Sequence, residues 1–274
     1  MADAETSPLT PEVKAARAAS FGGAAAHYER YRPGPPKGAV DWILPGRVHT
    51  VVDLGAGTGA LTRQLVDSAD EVIAVEPDER MRAVLAEQVP GVRALEGRGE
   101  ALPLPDASAD ALLASSSWHW VDPVPGLLEV GRVLVPGGVL GVIWSGPDRD
   151  GAFIAEAQEM LSGGGPSPLD EQSHAELAAA VSDRSSLTEV LEIPTGVPFE
   201  QPEHTVLQWD VSLNAEELVG LLGTFSWVLL MEDAARDRLL DAARSALRDM
   251  LGVEGDATVD VGYRADVYRA RRRT

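Results

Sequence analysis

Short apolar runs rich in β-branched residues alternate with stretches of helical period along the middle of the chain, and this alternation sets the first expectation. From His49 onward the strand-like runs are TVVDL, EVIAV, VRALEG, ADALLASS and GVLGVIWS, and between them lie ALTRQLVDSA, ERMRAVLAEQV and PGLLEVGRVL. Strands apolar on both faces and separated by helices predict a parallel, doubly wound α/β sheet. Upstream, PEVKAARAASFGGAAAHYERYRPGPPKGAVDWIL predicts a broken pair of short helices, interrupted between Arg32 and Pro36 by prolines and a glycine.

Beyond Ser145 the regular alternation stops. GAFIAEAQEMLSGGGPSPLDEQSHAELAAAVSD predicts two helices around a Gly/Pro/Ser joint, an insertion of the kind that caps a site. HTVLQWDVSL predicts a strand, Asn214 to Met250 a long helical stretch with at least one break, and VDVGYRADVYRARR a final strand. The expected organisation is a single domain over 1–274, with lead-in helices over 1–48, a core over 49–146, the helical insertion over 147–202, and the last strands and helices over 203–274.

Composition narrows the class. No apolar run approaches the roughly 18 to 20 residues that cross a bilayer, and the N-terminus has neither a basic start nor a hydrophobic stretch, so a cytoplasmic protein with no membrane partner is expected. The lack of cysteine agrees with a reducing compartment and removes thiol nucleophiles and thiolate metal sites. A formal charge of −20 repels polyanions, so a nucleic-acid partner is not expected, and the basic YRARRRT end reads as a solvated tail. His27, His49, His119, His174 and His204 are too scattered for a ligand pair, so no metal is expected.

The chemistry concentrates where the first strand turns into a helix. VVDLGAGTGAL places Gly55, Gly57 and Gly59 at a turn that lets backbone approach a nucleotide-like ligand. Through Gly55, Gly57 and Ala60 the same stretch satisfies the dinucleotide pattern, which keeps an NAD-dependent oxidoreductase open as an alternative. Asp53 argues against it, because a carboxylate two residues before the first glycine repels a pyrophosphate. S-adenosylmethionine, with an ammonium, a sulfonium and no phosphate, suits that loop better.

These residues resemble the class I S-adenosylmethionine-dependent methyltransferases of the small-molecule type, whose first motif is matched by Asp53 to Gly59, and the resemblance runs from about Phe21 to Ser145. It implies a seven-stranded, Rossmann-like sheet, mostly parallel with the last strand antiparallel, and S-adenosylmethionine as cofactor. EVIAVEPDERM resembles the second motif, which implies that Glu76 holds the ribose hydroxyls while Pro77 and Met81 pack on the adenine. GRGEALPLPDASADAL resembles the third. Relatives often carry Asp where this chain has Arg98, so the adenine amino contact passes to Glu100 or to backbone at Gly99. In SFGGAAAHYERYRPG the register of Phe21, Tyr28 and Arg32 implies that Tyr28 or Arg32 approaches the methionine carboxylate, for which an Arg fork is well matched.

SSSWHWVD, at the end of the fourth strand, resembles a segment that borders methyl donor and acceptor in a subset of these enzymes. Ser115 is thereby a cofactor contact and His119 the candidate general base, since imidazole exchanges protons near neutral pH. Trp118 and Trp120 are candidate walls for an aromatic acceptor and for the sulfonium. Phe225 and Trp227, in ELVGLLGTFSWVLLM, are candidates to roof the acceptor. Each residue also has a structural reading: turn chemistry for the glycines, packing for Pro77, Met81, Phe225 and the tryptophans, anchoring for Tyr28 and Arg32, and positioning for His119. The expected reaction is methyl transfer to an O, N or C nucleophile of a small aromatic acceptor. The alternatives are methyl esterification of a small carboxylic acid and a non-catalytic cofactor-binding module.

Overall fold

A computed structural model of the chain describes residues 25–162, 175, 190–251 and 256–274. The described residues fall into two compact units. One comprises Arg32–Gly146, Val190–Trp209 and Tyr263–Thr274; the other comprises the described parts of Met1–Tyr31, Pro147–Glu189 and Asp210–Gly262.

The elements in chain order are α1 (Ala25–Tyr31), α2 (Lys37–Ile43), β1 (Val48–Leu54), α3 (Thr62–Leu65), β2 (Ala69–Val75), α4 (Glu79–Gln88), β3 (Arg93–Leu95), β4 (Ala109–Ser115), α5 (Pro123–Val133), β5 (Leu134–Pro147), α6 (Ala152–Ser162), β6 (Glu203–Asn214), α7 (Ala215–Leu222), α8 (Ser226–Leu229), α9 (Asp233–Leu251) and β7 (Thr258–Arg271). The break at Arg32 to Pro36 falls between α1 and α2, as expected. The helical period of ALTRQLVDSA yields only the short α3, because Ala69 already pairs with Val48 in the sheet. The long helical stretch after Asn214 divides into three helices, the first closed by a capping box in which Asn214 and Glu217 each bond the other's backbone N–H. The second helix expected in the 147–202 insertion lies outside the described residues, as does Phe21.

The seven strands lie in the order β3-β2-β1-β4-β5-β7-β6. Strands β1 to β5 run parallel, with Leu54 beside Val75 and Ser115 beside Ile143. β7 runs against them: Arg272 N–H bonds Gly138 O at one end of β5, whereas Asp148 N–H bonds Gly262 O at the other. β6 is antiparallel to β7 in turn, since Glu203 reaches Arg269 and Ser212 reaches Asp260. The sheet is therefore mixed, six strands parallel and the last in sequence antiparallel.

Apolar residues cover both faces of this sheet. Val52, Leu54, Leu112, Leu140 and Val142 pack with α5 on one side; Val51, Ala111, Leu113 and Ile143 pack with α2 on the other. Ile43 of α2 sits on Gly141, where a Cβ would lie 2.7 Å from its Cγ2. Burying one such side chain is worth roughly 1.5 to 3 kcal/mol. The basic C-terminal stretch is not a solvated tail. Arg269 pairs with Glu203 and lies over the Trp42 ring, and the Arg272 backbone completes the ladder to β5. β7 needs the backbone of these residues, and the charge of Arg269 is met by the Glu203 carboxylate and the Trp42 face. In the other unit, Val219, Val228, Leu239 and Ala243 form a helical core of their own. No helix among the described residues is long and apolar enough to cross a membrane.

Candidate active site

In a parallel sheet, ligands bind where the strands finish. Here β1 ends at Leu54 and passes directly into the glycine loop, whose Gly55 N–H bonds Val75 O at the end of β2. Gly55, Gly57 and Gly59 all have positive φ. Gly55 is required twice over: its φ is +67°, and a Cβ there would stand 2.5 Å from Ser117 Cβ. Ser117 occupies that place because its Oγ donates to Leu54 O at 2.6 Å, tying the loop after β4 to the end of β1.

Gly57 differs. No atom lies within 4 Å of the position its Cβ would take, so bare backbone borders open space. Its N–H donates to Glu76 Oε2 at 2.9 Å, and Asp78 N–H donates to Glu76 Oε1 at the same distance. Each carboxylate oxygen keeps a lone pair for a further donor, the demand that a vicinal diol makes. Burial raises the Glu76 carboxyl above the usual carboxylate range against the pull of these N–H groups. Next to Gly57, Thr58 Oγ1 is buried with no hydrogen-bond partner. Open backbone, a half-used carboxylate and an orphan hydroxyl on one loop fit the ribose and amino-acid portions of S-adenosylmethionine.

Asp53 is only 1% exposed. Burial, reinforced by the Glu76 carboxylate, pushes it up to about 7, while a 2.6 Å hydrogen bond from Thr62 Oγ1 pulls the other way. Asp53 therefore titrates near neutrality instead of standing fully charged, and a cation brought beside it would draw off its proton.

Of the residues expected around the adenine, Pro77 is exposed and Met81 is buried in the first turn of α4, a helix capped by Asp78. Gly99 and Glu100 have work of another kind. A Cβ on Gly99 would meet Val121 Cγ2 at 2.6 Å, and Glu100 Oε1 accepts from Asp122 N–H at 2.6 Å. Both fasten the third-motif loop to the histidine loop, and one oxygen of Glu100 is committed to that contact.

The histidine loop begins at the half-buried Ser115 and turns at Ser116, a non-glycine residue with φ +49°. Left-handed backbone at such a residue is held in place by its surroundings and is common at functional sites. Trp118 to Trp120 then form one 3₁₀ turn. Trp118 is 5% exposed and belongs to the core beneath the loop, with Val121 and Leu127. His119 and Trp120 are half-buried, with ring centroids 4.5 Å apart and tilted by 54°. The imidazole is thus anchored by Ser117 on β1, Trp118 in the core and Asp122 on Glu100.

Arg32 belongs to the same unit. Two residues on, Gly34 lies against Ala60, and Pro35 O accepts from Gln64 Nε2 at 2.6 Å, so this segment is fastened just past the glycine loop. Tyr28 belongs to the other unit, where α1 meets α7 and His27 Nε2 bonds Gly220 O. Phe225 also belongs there and packs against the helical core. The Trp227 side chain lies outside the described residues. Sequence reading missed Ser117 and Thr62: the register of β4 on β1 brings the Ser117 hydroxyl to Leu54, and the turn from β1 into α3 brings the Thr62 hydroxyl back to Asp53. Among the described residues there is no group of three or more His, Cys, Asp or Glu able to hold a metal ion.

Comparison with known proteins agrees with this geometry. The family described as "Methyltransferase domain" matches residues 52–142. An uncharacterized methyltransferase of Mycobacterium tuberculosis is 37% identical over 228 residues, covering 83% of this chain and 85% of that protein. A malonyl-[acyl-carrier protein] O-methyltransferase of Enterobacter lignolyticus is 32% identical over 136 residues, 48% of this chain and 54% of its own. Among solved structures, one named as a type II methyltransferase from Anaeromyxobacter dehalogenans aligns with a TM-score of 0.58 at 23% identity, covering 88% of this chain and 98% of that one. A Haemonchus contortus phosphoethanolamine N-methyltransferase, solved with S-adenosylhomocysteine, aligns with a TM-score of 0.50 at 15% identity, over 97% of this chain and 61% of its own.

Proposed function

Because the chain belongs to the methyltransferase-domain family and is an S-adenosylmethionine-dependent methyltransferase, we propose that it methylates an O, N or C nucleophile of a small aromatic acceptor lying against the His119 loop. One observation carries the reading: a half-buried imidazole stands on a loop that Ser117 ties to Leu54, the last residue of β1 before the glycine loop.

When bound, S-adenosylmethionine supplies a sulfonium methyl group, which passes to the nucleophile as the carbon–sulfur bond breaks and leaves S-adenosylhomocysteine. Glu76 accepts the ribose hydroxyls, Asp53 faces the ammonium end, and Met81, Pro77 and backbone at Gly99 border the adenine. Arg32 meets a carboxylate. His119 accepts the proton that a phenolic or ring N–H nucleophile releases, and Trp120 presents a ring face to the acceptor. Holding the reactants in line supplies the larger part of the rate, with general-base assistance adding about 10²- to 10⁴-fold.

Carboxyl methylation is the second reading, favoured by the malonyl-[acyl-carrier protein] relative. A carboxylate needs no base, so there His119 would only orient the acceptor. The test begins with calorimetric titration of the protein with S-adenosylhomocysteine beside NAD. Micromolar binding of the former alone is expected; binding of NAD alone would overturn the assignment of the glycine loop. A screen of phenols, indoles and carboxylic acids with the loaded enzyme then separates the two readings, and tight cofactor binding without turnover on any acceptor would mark a non-catalytic module.

A further inference from the structure

Between α1 and α2 the chain runs through Arg32, Pro33, Gly34, Pro35 and Pro36 without regular structure. Each proline fixes its own φ and keeps the residue before it extended, so Arg32, Gly34 and Pro35 are restricted as well. The stretch is stiff, and holding one part of it holds the rest. Its C-terminal end is set by α2, where Ala39 N–H bonds Pro36 O and Ile43 is seated on Gly141. Arg32 stands at the other end.

The middle is held from the glycine-loop side. A Cβ on Gly34 would lie 3.5 Å from the Cβ of Ala60, the residue that follows Gly59. Pro35 is buried, and its carbonyl accepts from Gln64 Nε2 of α3 at 2.6 Å. A buried carbonyl needs a donor, and Gln64 supplies it. The other end of the same amide is idle: Gln64 Oε1 is buried with no hydrogen-bond partner among the described residues. Leaving that oxygen unsatisfied costs stability, so a leucine would fill the place at less cost if packing were the whole need. The amide is there for its donor. Two residues of extended chain span at most about 7 Å, so the Arg32 backbone stays within that distance of Gly34 at the end of the glycine loop.

We infer that Gln64 is a positioning residue for the methyl donor: by holding Pro35 it fixes the stiff stretch that presents Arg32 to the carboxylate of the donor's amino-acid end. The inference rests on the proposed contact between Arg32 and that carboxylate, and it gives Gln64 no contact with the ligand itself. Once Pro35 is released, the guanidinium loses the fixed geometry that a two-pronged bond to a carboxylate requires. Ligands that carry the amino-acid end should feel the change, and a nucleoside without it should not.

The experiment titrates the full chain calorimetrically with S-adenosylhomocysteine and with 5′-methylthioadenosine, which keeps the nucleoside and the sulfur and lacks the amino-acid end. The parent is compared with Gln64→Leu, Arg32→Ala and the double variant. Arg32→Ala should weaken S-adenosylhomocysteine by about tenfold or more, the loss of a bond between charged groups. Gln64→Leu should weaken it by about fivefold or more, and the double variant should be no weaker than Arg32→Ala alone to within about twofold, because the two substitutions remove one interaction. Affinity for 5′-methylthioadenosine should stay within about twofold of the parent in all three. Unchanged S-adenosylhomocysteine affinity in Gln64→Leu overturns the inference. So does an equal loss of both ligands, which would mark a general disturbance of the loop, and so does a double variant in which the two losses multiply. Parental affinity in Arg32→Ala would instead remove the Arg32 contact beneath the inference, and failure of the parent to bind either ligand would sink the methyltransferase reading itself.

Discussion

Replacing Asp53 by Asn should stabilise the ligand-free protein by an amount that grows with pH. The folded carboxyl titrates at about 7 against an ordinary 3.8, a shift of about three units, and each unit is worth 1.36 kcal/mol, so burying the ionised form costs about 4 kcal/mol. The sign follows from the raised value. Between the two values the folded chain keeps a proton that the unfolded chain has released, so this group's support of folding is complete below its unfolded value. That support drains away as pH rises to about 7. Asparagine has the same shape, and its carbonyl still accepts the 2.6 Å bond from Thr62 Oγ1, yet it never ionises. The variant and the parent should therefore melt together below about pH 4 and diverge progressively up to pH 8, where a chain of this size gains roughly 5 to 15 °C for such a free-energy difference. Scanning calorimetry from pH 5 to 8.5 checks it. An advantage independent of pH, or a less stable variant at pH 8, would refute the account of Asp53 as a desolvated carboxyl. The same substitution should weaken S-adenosylhomocysteine binding and abolish the proton release that accompanies it at pH 6, read as a dependence of binding heat on buffer ionisation enthalpy.

Three other substitutions test the site from different sides. His119→Ala should lower turnover by about 10²- to 10⁴-fold while leaving S-adenosylhomocysteine affinity nearly intact; a matching loss in both would reassign the imidazole to cofactor positioning. Gly55→Ala combines a left-handed backbone with a Cβ contact of 2.5 Å and should destabilise by about 2 to 4 kcal/mol. Thermal melts of Gly55→Ala with Ser117→Gly should recover part of that loss, and strict additivity would show that the Ser117 contact is not its source. Gly57→Ala meets no atom, so its melting point should fall only by the backbone penalty of about 1 to 2 kcal/mol, whereas its affinity for S-adenosylhomocysteine should drop more than tenfold; unaltered affinity would remove Gly57 from the site.

The parallel core was legible because strands buried on both faces write themselves as continuous apolar runs, and the glycine loop because only a few residue types tolerate its backbone. Glu76, singled out by the resemblance of its segment to the second motif, stands at the end of β2 with its carboxylate on the N–H groups of Gly57 and Asp78. What escaped was whatever depends on register between strands. Ser117 is one of three serines in a row, and nothing local distinguishes the one whose hydroxyl reaches Leu54. Trp118 and Trp120 look equivalent in sequence, yet a single 3₁₀ turn sends the first into the core and leaves the second half-buried. Nothing local to Glu100 shows that one of its oxygens accepts from the backbone of Asp122, twenty-two residues on. The basic end of the chain looked like a tail because charge was read without its partners, and Glu203 and Trp42 are distant in sequence.

The two hydrogen bonds that Glu76 accepts from Gly57 and Asp78 have a bearing on how the enzyme is governed. They set the glycine loop in its working shape in the absence of ligand, so little binding energy is spent on ordering it. The groups proposed to meet this loop, the ribose and the amino-acid end, are shared by the methyl donor and by the demethylated product, which differ at the sulfur alone. A loop that is already shaped for one is equally shaped for the other. The enzyme should then be held back by its own spent cofactor, and its throughput in the cell set by the ratio of donor to product, which makes the rate at which that product is cleared a control on this reaction.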